Sequence, residues 1–260
     1  YIILKLINNI NGGFMRKTSI SFGLVNIPIS MNPIYQNNDV SFNQLHKKCL
    51  SRIKYVKFCP HCKKEVRQDE IIKGYKINDD TYITLTNTEL KNLRVTDEEA
   101  IEIVGFVSTP EIDPIFYERT YVLSTPKKSK AFSLFKDALE KSKKVAIAKT
   151  VISTKFYYVA IRIKNGIVLM STLYFAEELN IPDVTSDALY SKKELDLALT
   201  LIDSLNMKFN PEKFVDEYQE NIKDAIKKKQ KGVKIKGTKH KKNSNVKDLM
   251  QALEMSLKNV

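Results

Sequence analysis

Histidine and glycine are both scarce in this chain of 260 residues, which has three of the one and eight of the other. The three histidines, His46, His61 and His240, leave little material for acid–base catalysis. There is no glycine-rich phosphate loop and no G-x-S-x-G nucleophile turn. Adjacent acids such as Glu177 and Glu178 read as surface residues at a strand end. Long hydrophobic runs are missing too. The apolar opening YIILKLINNI, residues 1–10, is shorter than the roughly 20 residues of a membrane span. It lacks a small-residue cleavage site after it, which argues against a signal peptide. The expected class is therefore a non-enzymatic protein of the cytoplasm. The pair Gly12-Gly13 just ahead of Met15 is what translation through a ribosome-binding site would leave. Residues 1–14 are accordingly expected to be a non-native leader.

Positive charge is abundant. Lysine and arginine number 43 against 30 aspartates and glutamates, a net charge of +13. Such an excess suits a polyanionic partner, nucleic acid or an anionic membrane surface, although a lysine-rich proteome would also produce it. The charge is unevenly spread: nine lysines and no acid lie between Lys227 and Lys242. Three cysteines, Cys49, Cys59 and Cys62, are clustered. In a reducing compartment such clustering favours metal over disulfides. The spacing His46-x2-Cys49-x9-Cys59-x2-Cys62 offers three thiolates and an imidazole, a donor set that suits one structural zinc, with His61 as the alternative nitrogen. No βαβ pattern surrounds the C-x-x-C pair, so a redox role is not expected.

The hydrophobic pattern has a period of two through most of the chain. Residues 19–31, SISFGLVNIPISM, read as a strand with Ile20, Phe22 and Leu24 on one face and Pro28 at an edge or bend. Further strands are predicted at residues 81–85, 101–107 (Gly105 marking a bulge), 117–123 and 145–154. A hairpin then turns on Asn165-Gly166. Thr86 to Glu89 and Ser191 to Glu194 are capping boxes opening helices. Residues 129–141 carry a helical stripe of Phe132, Phe135, Ala138 and Leu139. The fold class is therefore α+β, mainly antiparallel β, a barrel or sandwich over about residues 15–190. A helical region over 191–226 follows. Its first stripe is Leu195, Ala198, Leu199, Ile202 and Leu205; its second helix, opened by Asn210-Pro211, aligns Phe214, Tyr218, Ile222 and Ile226. A basic linker over 227–244 leads to a short amphipathic helix at 245–260.

Three segments together resemble the bacterial Ku family. They are Ile20-Ser-Phe-Gly-Leu-Val-Asn-Ile-Pro28; Leu45-His-Lys-Lys-Cys49 with Arg52-Ile53 and Lys73-Gly74-Tyr75; and Glu111-Ile-Asp-Pro114 with Tyr117-Glu118 and Tyr121. The chain departs from the family pattern at Arg16-Lys17-Thr18, where Trp-Lys-Gly is usual, and at Lys76, where Glu is usual. The resemblance implies a β-barrel core with a strap, at about residues 44–73, paired as a homodimer that encloses duplex DNA. It also implies a role in non-homologous end joining beside a multidomain DNA ligase.

Physics agrees with that implication. A ring lined with cations grips phosphates, which carry no sequence information, and only a free end can thread it. Candidate phosphate contacts are Lys47, Lys48, Arg52, Lys54, Lys57 and Lys73 in the strap, with Lys227, Lys228, Lys229 and Lys231 in the tail. Zinc at His46, Cys49, Cys59 and Cys62 would pin a strap too thin to own a core. Val246, Leu249, Met250, Leu253 and Leu257 form one stripe on a helix too short to stand alone, a candidate ligase contact. The rival reading is a zinc-ribbon module binding RNA or acting in transcription. A scaffold that binds only protein is a third.

Overall fold

A computed structural model describes residues 16–35, 37, 39–79, 81–93, 100–125, 127–153, 155–182, 189–235, 253, 255 and 256. The expected leader, residues 1–14, lies outside the described residues, as does Met15. The chain divides into two units, one within Tyr1–Asn37 and Gln44–Asn180, the other within Asn38–Asn43 and Ile181–Val260.

In the first unit the strands are β1 (Arg16–Phe22), β2 (Val25–Pro33), β3 (Phe58–Cys59), β4 (Lys64–Glu65), β5 (Lys73–Asn78) and β6 (Thr81–Leu85). Helix α1 (Asn87–Asn92) follows, then β7 (Ile101–Ser108), β8 (Tyr117–Ser124), α2 (Lys130–Ser142), β9 (Lys144–Ile152), β10 (Lys155–Lys164) and β11 (Ile167–Leu173). Seven strands close a barrel in the order β1-β2-β8-β11-β10-β9-β7. β1 joins β7 in parallel, with Ile20 opposite Ile101; the other barrel pairs are antiparallel. Closure gives every barrel strand a neighbour on each side, although the β1–β7 seam is only two residue pairs long, Ile20 with Ile101 and Ser21 with Glu102.

Alternation fills the interior. Ile20, Ile27, Ile29, Met31, Val159, Ile161, Val168 and Met170 are all buried in one cluster. Each such side chain contributes roughly 1.5–3 kcal/mol when fully withdrawn from water. Ser129 caps α2 by accepting from the Phe132 N–H at 3.2 Å, and Phe135 and Leu139 reach from that helix into the same cluster. A smaller cluster of Val122, Ile167 and Leu169 forms separately, so β11 is buried along almost its whole length.

Several local expectations hold. Asn165 and Gly166 take φ of 53° and 74°, the pair of left-handed residues that a tight hairpin needs. The register between β7 and β9 shifts between Ile103 and Gly105, a bulge at the expected glycine. Pro28 pairs with Ser19, ahead of Ser30 where the β8 ladder begins, so its missing N–H costs no ladder bond there. One expectation fails: residues 19–31 are not a single strand. The backbone reverses at Gly23, φ 57°, and Leu24, which separates β1 from β2 and leaves Phe22 and Leu24 exposed while Ile20 is buried.

In the second unit Ser191 caps α3 (Lys192–Ser204), accepting from the Glu194 N–H at 3.3 Å while Glu194 returns a carboxylate to the Ser191 N–H at 2.6 Å. The second helix differs from expectation. Pro211–Lys213 make only a short 3-10 turn, Phe214 is extended, and Asp216 caps a new helix, α4 (Glu217–Gln230), by accepting from the Gln219 N–H at 3.0 Å. Lys227 to Gln230 are thus helical rather than linker. Their cations sit at the C-terminal end, where the helix dipole favours them. Among the described residues no helix is long and apolar enough to cross a membrane.

Candidate nucleic-acid interface

Residues 44–93 share a unit with the barrel but have none of its interior. Among the described residues of this arm not one is buried. Short local ladders give it shape. Leu45 bridges Arg52, and the His46 N–H donates to the Ser51 carbonyl at 2.8 Å around a turn with Leu50 at φ 56°. β3 and β4 form a two-stranded knuckle, and the Val66 N–H donates to the Lys57 carbonyl at 2.8 Å to extend it. β5 and β6 form a second hairpin from Lys73 opposite Leu85 to Asn78 opposite Thr81.

This arm is basic. Residues 44–78 contain ten lysines and arginines against three acids. Lys47, Lys48, Arg52, Lys54, Lys57 and Lys73 are all exposed. The Leu45–Arg52 bridge draws the turn bearing Lys47 and Lys48 beside Arg52. Lys57 lies at the knuckle and donates to Gln68 Oε1; Lys73 opens the separate β5–β6 hairpin. Lys63, Lys64, Arg67 and Lys76, which are not among the expected phosphate contacts, share the arm. Of these, Arg67 pairs with Asp69 at 3.1 Å and Lys76 with Asp79 at 2.6 Å, whereas Lys63 occupies the knuckle turn at φ 53°. Exposed pairs of that kind contribute little to stability.

The arm also exposes apolar side chains that no composition argument singled out. Tyr75 and Ile77 on β5, with Tyr82 and Ile83 on β6, are each more than half exposed. A two-stranded hairpin of this kind is marginal alone in water and calls for a cover. Tyr75 and Ile83 are cross-strand partners on one face of the hairpin, whereas Tyr82, opposite Lys76, lies on the other.

The cysteines fall into two groups. His46 Nδ1 lies 3.1 Å from Cys49 Sγ, and the Cys62 N–H donates to Cys59 Sγ at 3.5 Å, with His61 Nδ1 4.0 Å from Cys62 Sγ. Among the described residues no three His, Cys, Asp or Glu side chains are arranged to hold a metal ion. The thiols are nonetheless tuned. Hydrogen bonds from Ser51, then His46, lower Cys49 to about 7. The Cys62 N–H and thiol lower Cys59, and Cys59 in turn raises Cys62. Thiolate character at Cys49 and Cys59 is what a soft cation requires.

The tail cluster sits on α4. Lys227, Lys228 and Lys229 fill its last turn, and Lys231 closes it, donating its N–H to the Lys228 carbonyl at 3.1 Å. Gly232, at φ 74°, donates to the Lys229 carbonyl at 3.0 Å. All four lysines are exposed. In the terminal stripe Val246, Leu249, Met250 and Leu257 lie outside the described residues, whereas Leu253 is helical and half-buried.

Comparison with known proteins supplies a family for this arrangement. The Ku70/Ku80 beta-barrel domain family matches residues 21–197. A "Non-homologous end joining protein Ku" of Lachnoclostridium phytofermentans is 38% identical over 244 residues, covering 93% of this chain and 95% of the relative. The protein of that name from Desulfitobacterium hafniense is 36% identical, covering 93% of this chain and 86% of its own length. That from Bacillus subtilis is 36% identical over 251 residues, covering 94% and 81%.

Proposed function

The chain belongs to the Ku family, and from that premise we propose that it binds the ends of double-stranded DNA without reading sequence. In this reading it acts as an encircling homodimer in non-homologous end joining, by binding and not by catalysis, in the cytoplasm at the nucleoid. The observation that carries the reading is the arm: ten cations against three acids on a segment whose described residues have no buried member. Lys47, Lys48, Arg52, Lys54, Lys57 and Lys73 grip phosphates, each contact releasing counterions. Phosphates look alike at every base pair, so preference for ends comes from threading. Lys227, Lys228, Lys229 and Lys231 add nonspecific contact from the end of α4.

Dimerisation is supported by Tyr75, Ile77, Tyr82 and Ile83, whose exposure gives the β5–β6 hairpin a reason to find a second copy. One zinc per chain, held by His46, Cys49, Cys59 and Cys62 with His61 as the alternative nitrogen, would supply the crosslink that this coreless arm lacks. The donor set fits zinc in softness and number. Its assembly requires the His46–Cys49 and Cys59–Cys62 groups to meet, and one zinc per chain by elemental analysis of purified protein is the expected result. The stripe Val246, Leu249, Met250, Leu253 and Leu257 recruits the multidomain DNA ligase.

Threading is tested with one linear duplex, free or blocked at both ends by bound streptavidin. Binding to the free duplex and its loss on blocking, when protein is added second, is the expected outcome. Equal binding to both would contradict the ring and favour a zinc-ribbon nucleic-acid module.

A further inference from the structure

The second unit contains an apolar groove of about 560 Å³ along α4. Ile222, Ala225 and Ile226 form its floor, Phe42 and Ile235 line it from either flank of the sequence, and Lys229 stands among them. The segment bearing Phe42 is anchored to the same helix, for the Val40 N–H donates to Gln219 Oε1 at 2.9 Å. A dry cavity of about 150 Å³ accommodates a benzene-sized group, so this groove has room for about three apolar side chains.

We infer that the occupant of this groove is the chain's own segment 246–257, docked antiparallel on α4. Spacing is the main argument. Along α4 the stripe Tyr218, Ile222, Ala225, Ile226, Lys229 advances by steps of 4, 3, 1 and 3. Read backwards, the terminal stripe Leu257, Leu253, Met250, Leu249, Val246 advances by the same steps of 4, 3, 1 and 3. Antiparallel helices in that register set Leu257 against Tyr218, Leu253 against Ile222, Leu249 against Ile226 and the long Met250 against the small Ala225. Large-against-small pairing of this kind lets facing side chains interdigitate.

Reach agrees. Ile235 lines the groove, and ten residues separate it from Val246. Ten residues span up to about 35 Å, while α4 is about 21 Å long, so the connection can return along the whole helix. In the proposed facing Leu253 lies in mid-stripe, towards α4, and Met255 lies on the opposite side of the helical wheel. A helix this short is unstable alone and needs such a surface. The docking requires neither DNA nor ligase. Its consequence rests on the proposed function: the stripe that would bind ligase is held in cis, so the ligase must displace it from α4.

Photo-crosslinking of the full-length chain, free of DNA and ligase, decides the matter. With Leu253→p-benzoylphenylalanine the expected product migrates at single-chain mass on a denaturing gel and maps to residues 217–230. The same substitution at Met255 should give about tenfold less of that product. Ala225→Glu keeps a strong helix former in α4 but places a carboxylate in the groove floor, and should lower the Leu253 yield about tenfold. A product of double mass would assign the groove to a second copy and overturn the inference. So would attachment outside 217–230, or equal yields from positions 253 and 255. Because nucleic acid is absent, none of these results bears on end binding.

Discussion

The barrel and the arm are built from similar residues and meet opposite fates. Ile161 on β10 is fully buried, while Ile83 on β6 is more than half exposed, although both are β-branched residues in hairpin strands. What separates them is closure. Seven strands that return upon themselves enclose an interior, so each inward side chain finds neighbours from several strands. Two strands enclose nothing, and β3–β4 and β5–β6 are two-stranded sheets. The barrel therefore has an interior to stabilise it, whereas the described residues of the arm have none.

Substitution at matched positions gives the largest separation. Val159→Asp puts a carboxylate in the barrel interior and should cost more than about 4 kcal/mol, enough to unfold the domain in a denaturant titration. Ile83→Asp on the arm should change the same titration by no more than about 0.5 kcal/mol but shift the protein from dimer to monomer in sedimentation. Equal loss of stability from the two would abolish the distinction.

Charge on the arm comes next in size. Reversal at Arg52 and Lys54 together (R52E with K54E) should weaken binding to linear duplex and flatten the dependence of log affinity on log salt by about 2, since each phosphate contact contributes about 0.9 to the slope. A change in stability with an unchanged slope would remove these residues from the interface. Chelation of metal is a third way to part the two regions. Limited proteolysis should then cut faster within residues 44–72 while β7–β11 keep their protection. Uniform protection before and after would deny the arm a metal pin. The smallest effect is local to the helical unit: Ser191→Ala removes the cap of α3 and should cost about 1 kcal/mol there, read as faster hydrogen exchange over residues 192–196 with the barrel unchanged.

Features set by neighbours in sequence were legible without coordinates. The Asn165-Gly166 turn, the capping residues Thr86 and Ser191, and the bulge beside Gly105 each depend on a few adjacent residues, and each is where the pattern put it. The β1–β2 turn was overlooked although the sequence marks it: just after Gly23 the apolar positions change phase, from Ile20, Phe22 and Leu24 to Val25, Ile27, Ile29 and Met31. The register of α4 was missed because the proline at 211 outweighed the better cap at Asp216. Barrel closure through the parallel β1–β7 pair joins Ile20 to Ile101, a contact across eighty residues that periodicity does not encode. In the site, lysine-rich segments were visible as charge. The exposure of Tyr75, Ile77, Tyr82 and Ile83 was not, since alternation looks the same whether a strand lines a core or stays in water.

The central claim, that an encircling pair of arms loads only over a terminus, is tested most directly with one DNA sequence in two topologies. Titrated against the linear duplex and against the same molecule covalently closed into a circle, the protein should shift the linear form alone. Equal affinity for the closed circle would contradict the account.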